Sequence, residues 1–384
     1  MFALLASVIA ILLLIRRFHV GFAVFVGALL LGFLTLGLDC LRVLYETVTS
    51  LQTLKYLVIF VLAFTLAYSM KESGVLHELT TSALSVFGRF SVVVIPAMIG
   101  LLPMPGGAIV SAVMLKDVFD KFKIDPERAT FLNYWFRHVW ASIDPIYPSV
   151  ILTLAILELS YPTMLKSTYP VTIAMILSGL PFLAKTENFR CEEKTFKGLL
   201  YVTPILAVMA LTVLGVDLLY SLVLSILAFY SFRRPNFKAV FKRVFDLRIL
   251  LLVISLLFYK NVVLESNSAE RLMNSIATLG MSGAVIASIV SFTMGFATGI
   301  ESGYAAIAIP ILSNFTGLGG NVVPKNLMLV VGLGIVGVML SPLHLCLILT
   351  KEYYSADLER VYKRYLIPSS LVTLALVFAV YQTL

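Results

Sequence analysis

Two carboxylates stand in stretches that are otherwise apolar enough to enter a bilayer. Asp144 lies in Ser142-Ile143-Asp144-Pro145-Ile146-Tyr147-Pro148, and Glu301 lies in Ala297-Thr298-Gly299-Ile300-Glu301-Ser302-Gly303. A carboxylate in hydrocarbon is costly, so such residues are expected to bind an ion or move a proton. Asp144 also has a structural use. Asp before Pro is an N-cap followed by a proline at the first helical position, which restarts a helix. Pro145 and Pro148 lack N–H groups and release the carbonyls of Ala141 and Asp144, oxygens suited to a small cation. Ser341-Pro342 repeats the arrangement. Glu301 has only the helix dipole to offset. Asp144, Glu301 and Ser341 are therefore the expected ion-coupling residues.

Other polar side chains share these stretches. Asn133, Arg137, His138 and Tyr147 flank Asp144, and His344 follows Ser341. Arg137 either snorkels to the inner surface, neutralises Asp144 or binds an anion. His138 and His344 either relay protons or pack as satisfied core residues. Lys260 is expected to snorkel to the outer boundary.

The backbone supplies the remaining chemistry. Leu102-Pro103-Met104-Pro105-Gly106-Gly107-Ala108 interrupts the apolar segment 91–115. Two prolines without N–H groups and two glycines cannot continue a helix. In lipid, such a break is tolerated only when buried in protein or lining a wet cavity. Crossing hydrocarbon takes about 20 helical residues, so each arm of 91–115 reaches only partway. This predicts a re-entrant helical hairpin, and 282–314 predicts a second. In each, the second arm begins at the tip with free N–H groups suited to an anion. Expected substrate contacts are Pro105, Gly106, Gly107, Ala108 and Ser111 at the first tip. At the second they are Thr298, Gly299, Ser302 and Gly303. The plainer reading is that Gly106 and Gly107 only make the turn.

The elements that must position these residues follow from composition. With 60% hydrophobic and 13% charged residues among 384, the chain reads as an all-α polytopic membrane protein. Apolar runs at 1–15, 20–38, 55–70, 129–157, 165–184, 198–214, 217–232, 249–264, 325–350 and 366–383 are candidate spans. Residues 1–15 lack a basic n-region, so they read as a retained first helix and not a signal peptide. Of 29 Lys and Arg residues, the segments assigned outside hold only Arg42, Lys55, Lys166, Arg271 and Lys325. That bias places both termini outside a plasma (cytoplasmic) membrane. It explains the net charge of +8 without nucleic acid.

The breaks recur at similar offsets, which predicts an inverted repeat of about 5+5 transmembrane helices. The first repeat covers 1–184, with hairpin 91–115 and broken helix 129–157. The second covers 198–384, with hairpin 282–314 and broken helix 325–350. A cytoplasmic linker, 185–197, joins them. Inverted repeats with broken helices point to a secondary transporter whose site lies at the midplane.

At these motifs the chain resembles the ion transporter superfamily, which includes divalent-anion/sodium symporters and gluconate-type permeases. The Leu102–Ala108 turn is most similar to that of a prokaryotic integral-membrane family within the group, domain of unknown function 401. The resemblance implies a scaffold domain, a mobile transport domain, a homodimer and an elevator motion. The Ser-Asn-Thr motif of the anion symporters is missing from both tips, so their dicarboxylate specificity and sodium site are not carried over.

The expected function is thus secondary active transport of a small organic or inorganic anion coupled to H+ or Na+. A channel with the same hairpins is the alternative. An intramembrane serine hydrolase using Ser302 and His344 is a weaker one, because Ile300 stands where that motif has glycine. No nucleotide-binding loop is present, and no catalytic residue, cofactor or metal is expected. Cys40, Cys191 and Cys346 are too scattered to suggest a metal site or a disulfide framework.

Overall fold

The computed structural model describes residues 2–104, 107–183, 195–244, 247–277 and 280–383. Pro105 and Gly106, and the expected linker as far as residue 194, lie outside the described residues. Helices dominate, and no strand forms among the described residues.

The chain begins with α1 (Phe2–Ile15), α2 (Val20–Leu36), α3 (Asp39–Thr49), α4 (Leu51–Glu72) and α5 (Val75–Phe87). Then come α6 (Ser91–Gly100), α7 (Gly107–Lys121), α8 (Pro126–Arg137), α9 (Pro148–Leu157) and α10 (Tyr161–Gly179). The next run is α11 (Thr203–Val213), α12 (Leu218–Phe232), α13 (Phe237–Val244), α14 (Leu247–Glu265) and α15 (Ser268–Ala277). It is followed by α16 (Gly283–Thr298), α17 (Glu301–Ile311), α18 (Ser313–Thr316) and α19 (Pro324–Leu340). The last are α20 (Leu345–Tyr354), α21 (Leu358–Val361) and α22 (Ile367–Thr383).

Local chemistry sets many of the starts. Ser50 Oγ accepts from Thr53 N at the head of α4, and Asp125 Oδ1 accepts from Arg128 N at the head of α8, where Pro126 follows. Each satisfies a backbone donor that the first turn leaves without a partner. By length and composition, four helical stretches suffice to cross a membrane: Leu51–Glu72, Val75–Gly100, Pro324–Tyr354 and Leu358–Thr383. Several shorter apolar helices accompany them, so the chain is compatible with a membrane protein.

Short helices, α3, α5, α13 and α15 among them, fall between the expected spans and hairpins. Residues 71–90, taken as an inner loop, fold mostly into α5, which buries Val75, Leu76, Leu79 and Ala83. In α3, Cys40, Val43 and Thr47 are buried while Asp39, Arg42 and Glu46 are exposed. In α13, Val240 and Val244 are buried beneath exposed Lys238, Lys242 and Arg243. These amphipathic repeats carry too many charges to register as apolar runs, yet their helical spacing is legible.

Two packing groups emerge. In one, α2 packs on α1 and α14, α4 packs on α12 and α13, and α3 packs on α14. In the other, α6 packs on α8, α7 on α20, α16 on α19, α17 on α9, and α10 on α19 and α22. The groups meet where α4 and α14 touch α9 and where α14 touches α17. Within the second group, α9 and α19 are buried along nearly their whole length, and so is α8 from Ala129 onward. A helix apolar and buried all round belongs to the interior of the molecule. The interruption at 138–147 is therefore enclosed in protein, whereas at 341–344 Ser341 and His344 are buried and Pro342 and Leu343 are exposed.

Candidate functional site

Four interruptions lie within the second group: one after α6 that includes 101–104, 138–147 between α8 and α9, 299–300 between α16 and α17, and 341–344 between α19 and α20. Leu102, Pro103 and Met104 from the first, Arg137, His138, Tyr147 and Pro148 around the second, and Ile300, Glu301 and Ser302 around the third line one cavity. Cys346, two residues past the fourth, completes it, together with Phe64 of α4 from the other packing group. The cavity measures about 240 Å³. A larger, mostly apolar groove of about 650 Å³, between residues 197–207 and the end of α12, holds none of the expected site residues.

Each wall is held by backbone that cannot pair with itself. Gly299 takes the left-handed conformation (φ +63°) that ends α16, and α17 restarts two residues later at Glu301. A side chain on Gly299 would meet Ser341 Oγ at 2.9 Å and His344 N at 3.0 Å, so these two turns pack face to face. Gly303 N and Tyr304 N both donate to Ile300 O, which leaves the first turn of α17 directed at the cavity.

Glu301 is the acid of the site. Its Oε1 accepts from Tyr147 Oη at 3.3 Å and lies 3.5 Å from His138 Nε2. His138 is fixed by its other nitrogen, 2.7 Å from the carbonyl of Tyr134. That contact requires Nδ1 to carry the proton, so Nε2 faces Glu301. The His344 ring stands nearly perpendicular to that of His138, with centroids 4.9 Å apart, and Tyr134 contacts both rings.

Arg137 departs from the expected snorkelling. It is only 6% exposed, and its Nη1 donates to Ile99 O at 2.9 Å. A Cβ on Gly107 would lie 2.3 Å from Arg137 Nη2, so the guanidinium rests on the start of α7. Arg137 Nε has no hydrogen-bond partner, and among the described residues the guanidinium forms no ion pair.

Asp144 occupies a different position from the one expected. It is fully buried and does not line the cavity. Its Oδ1 accepts from Ile146 N at 3.1 Å, which closes a local turn, and its Oδ2 has no partner. The helix restarts at Pro148, not at Pro145, with Tyr147 as the N-cap. Ser341 makes the matching turn, its Oγ accepting from Leu343 N at 3.2 Å, and α20 restarts only at Leu345. The two turns are thus alike, as Asp-Pro and Ser-Pro suggested, but each restart comes later than the proline. A short side chain accepting from the second residue onward favours an Asx- or Ser-type turn over a cap.

The remaining residues fall into two sets. Ser302 joins Glu301 on the cavity wall. Ser111 Oγ donates to the carbonyls of Gly107 and Ala108, and Thr298 Oγ1 to that of Met294, so both turn back on their own helices. Asn133 Nδ2 donates to Ala108 O at 3.0 Å and Thr350 Oγ1 at 3.3 Å, tying α8 to α7 and α20 away from the cavity. Gly303 is buried against Thr298.

One residue escaped the sequence reading. Cys346 had counted as one of three scattered cysteines, yet its sulfur groups with the His138 and His344 nitrogens, all within 4.8 Å of one another. The pattern His344-Leu345-Cys346 was the available signal. It was weak because its third member lies some two hundred residues away.

No curated protein matches the chain. The chain belongs to the family described as protein of unknown function (DUF401), whose model matches residues 1–384.

Proposed function

We propose that this chain is a multi-pass plasma-membrane carrier of the ion transporter superfamily type. It moves a small organic or inorganic anion by secondary active transport, coupled to H+ or Na+. The observation that carries this reading is the meeting of four helix interruptions around one cavity that holds Arg137, which forms no ion pair among the described residues. Interrupted helices whose ends face a common site are how membrane carriers present backbone dipoles to substrate. A guanidinium buried without a counter-charge is costly, and an anionic substrate offsets that cost. The starts of α7 and α17 add partial positive charge.

Helix order and packing support the repeat. Two helices (α1 and α2, or α11 and α12) are followed by an amphipathic helix (α3 or α13) and a long one (α4 or α14). A shorter helix (α5 or α15), a hairpin (α6–α7 or α16–α17), a broken helix (α8–α9 or α19–α20) and a closing helix (α10 or α22) complete each series. The contacts are reciprocal: α14 on α2 mirrors α4 on α12, α3 on α14 mirrors α13 on α4, and α7 on α20 mirrors α17 on α9. Such exchange is expected of two halves related by a two-fold axis, with the hairpins entering from opposite faces. The stretch Val75–Gly100 is divided at Gly88 (φ +53°), where α5 ends, so α6 by itself remains too short to cross. The first packing group would serve as scaffold and dimer surface, the second as the moving body.

Purified protein in liposomes tests this by counterflow against a panel of carboxylates, sugar acids and inorganic oxyanions. Saturable exchange of at least one anion is expected. Arg137→Gln, if it melts at the wild-type temperature, should weaken that anion at least tenfold, about 1.4 kcal/mol. Glu301→Gln should abolish the dependence of uptake on the ion gradient while leaving anion exchange in place. Absence of exchange for every anion, or conductance far above carrier turnover, would overturn the proposal.

A further inference from the structure

We infer that His138, His344 and Cys346 form a binding site for one divalent transition-metal ion of the zinc class, with Glu301 beside it as the fourth group. Their donor atoms lie within 4.8 Å of one another and come from two separate helix interruptions. Tetrahedral zinc, with Zn–N about 2.0 Å and Zn–S about 2.3 Å, holds two imidazole nitrogens and one sulfur roughly 3.3–3.5 Å apart. The cluster therefore needs only small side-chain rotations to close on an ion.

Three features favour a metal over simple packing. First, His138 Nδ1 donates to the Tyr134 carbonyl at 2.7 Å, the outer-shell bond that holds a ligating imidazole with its other nitrogen outward. Second, that outward Nε2 faces the Glu301 carboxylate at 3.5 Å, a separation that a shared cation, metal ion or proton, can bridge. Third, His344 is buried and its Nδ1 has no hydrogen-bond partner, a cost that a ligand or proton removes. Imidazole and thiolate together select zinc, cobalt or copper over magnesium or calcium, which prefer oxygen.

Charge balance agrees. A divalent ion with one thiolate and one carboxylate is neutral, which suits a site enclosed by buried helices. Binding replaces the Cys346 thiol proton, which leaves to bulk through the cavity that Cys346 and His138 line. The open side faces that cavity beside Arg137 and Tyr147, so a small anion or water can take a further position on the ion. The site stands on its own geometry and does not depend on the transport reading.

Cobalt(II) is the probe. Full-length, untagged protein in detergent, stripped with chelator, is titrated with Co2+ and followed by absorption. One ion per chain is expected, with ligand-field bands of tetrahedral intensity and a thiolate-to-cobalt charge-transfer band, both displaced by Zn2+. The Cys40→Ser/Cys191→Ser variant should keep the charge-transfer band. Cys346→Ser should lose it and weaken binding at least a hundredfold at an unchanged melting temperature. His344→Gln should weaken binding at least tenfold. Wild-type protein that is folded yet binds no Co2+ would overturn the site, as would a spectrum lacking the thiolate band. Survival of that band in Cys346→Ser would also overturn it. Should Cys346→Ser fail to fold, the wild-type and Cys40/Cys191 spectra decide by themselves. Anion exchange in liposomes is scored separately, so failure of either idea leaves the other standing.

Discussion

At the scale of single residues, what distinguishes this molecule is charge held in its interior by backbone. Arg137 is fixed by the carbonyl of Ile99 and by the glycine at the head of α7, not by an acid. The close approach of α6 to α8 makes this possible. A Cβ on Gly100 would sit 2.1 Å from the Arg137 carbonyl oxygen, and a backbone atom cannot swing aside. Gly100→Ala is therefore expected to push α6 from α8 and cost about 1–3 kcal/mol, the range for overpacking. The measurement is the melting temperature of purified protein. Gly320→Ala, where a Cβ meets nothing within 4 Å, is the control and should melt like wild type. Equal stability of the two variants would contradict the packing described.

At the scale of elements, the pair α16 and α19 shows how small residues bring interrupted helices together. A Cβ on Gly295 would lie 2.2 Å from Gly334 O, and one on Gly337 would lie 2.3 Å from Phe292 O. Ser291 Oγ adds a hydrogen bond to Val330 O across the same interface. Glycines at such positions allow backbones to touch, the usual device for tight helix pairs in lipid. Gly295→Ala and Gly337→Ala each force the same separation, so their effects should couple. The double variant should lose less stability than the two single losses together, by about 0.5 kcal/mol or more. Additive melting-temperature shifts would show that the two contacts yield independently.

At the scale of the whole molecule, an ion pair ties the two groups of helices where α14 meets the end of α9. Lys260 of α14 is buried, and its Nζ reaches Glu158 Oε1, just past α9, at 2.8 Å. Lys260, expected to snorkel to the outer boundary, is instead buried on a carboxylate. The Lys260 hydrogen bond holds the Glu158 carboxyl below its usual pKa, against the opposing effect of partial burial. A depressed carboxyl contributes stability that is fully present above the unfolded pKa, about 4.3. That contribution is lost as the pH falls through the lower folded value. Because Glu158 is largely exposed, the contribution is modest, about 1 kcal/mol or less. Glu158→Gln should melt earlier than wild type at pH 7, and the difference should shrink as both are acidified through and below the usual carboxylate range. A difference that persists in acid would assign the effect to shape and not charge.

Much of the fold was legible because helix starts and stops are local events. Proline without an N–H, glycine at positive φ and a short polar side chain before an apolar run act within a few residues. Hence the interruptions near 101–104, 138–147, 299–300 and 341–344 stand close to where Pro-Met-Pro-Gly-Gly, Asp-Pro, Thr-Gly-Ile-Glu and Ser-Pro placed them. The candidate site was legible only in part. Glu301 and Arg137 were found because a charge in an apolar stretch is conspicuous by itself. The position of Asp144 away from the cavity and the grouping of Cys346 with the two histidines share one physical cause. Which atoms face each other across α8, α17 and α20 depends on how buried helices pack, and periodicity within one segment does not encode that. By itself, then, the sequence determined an apolar, all-helical chain with interruptions at set positions, because those depend on near neighbours. Only the tertiary structure decided that Arg137 turns inward, that Asp144 closes a turn outside the cavity, and that Cys346 meets His138, because those contacts join residues hundreds of positions apart or hidden within a packed core.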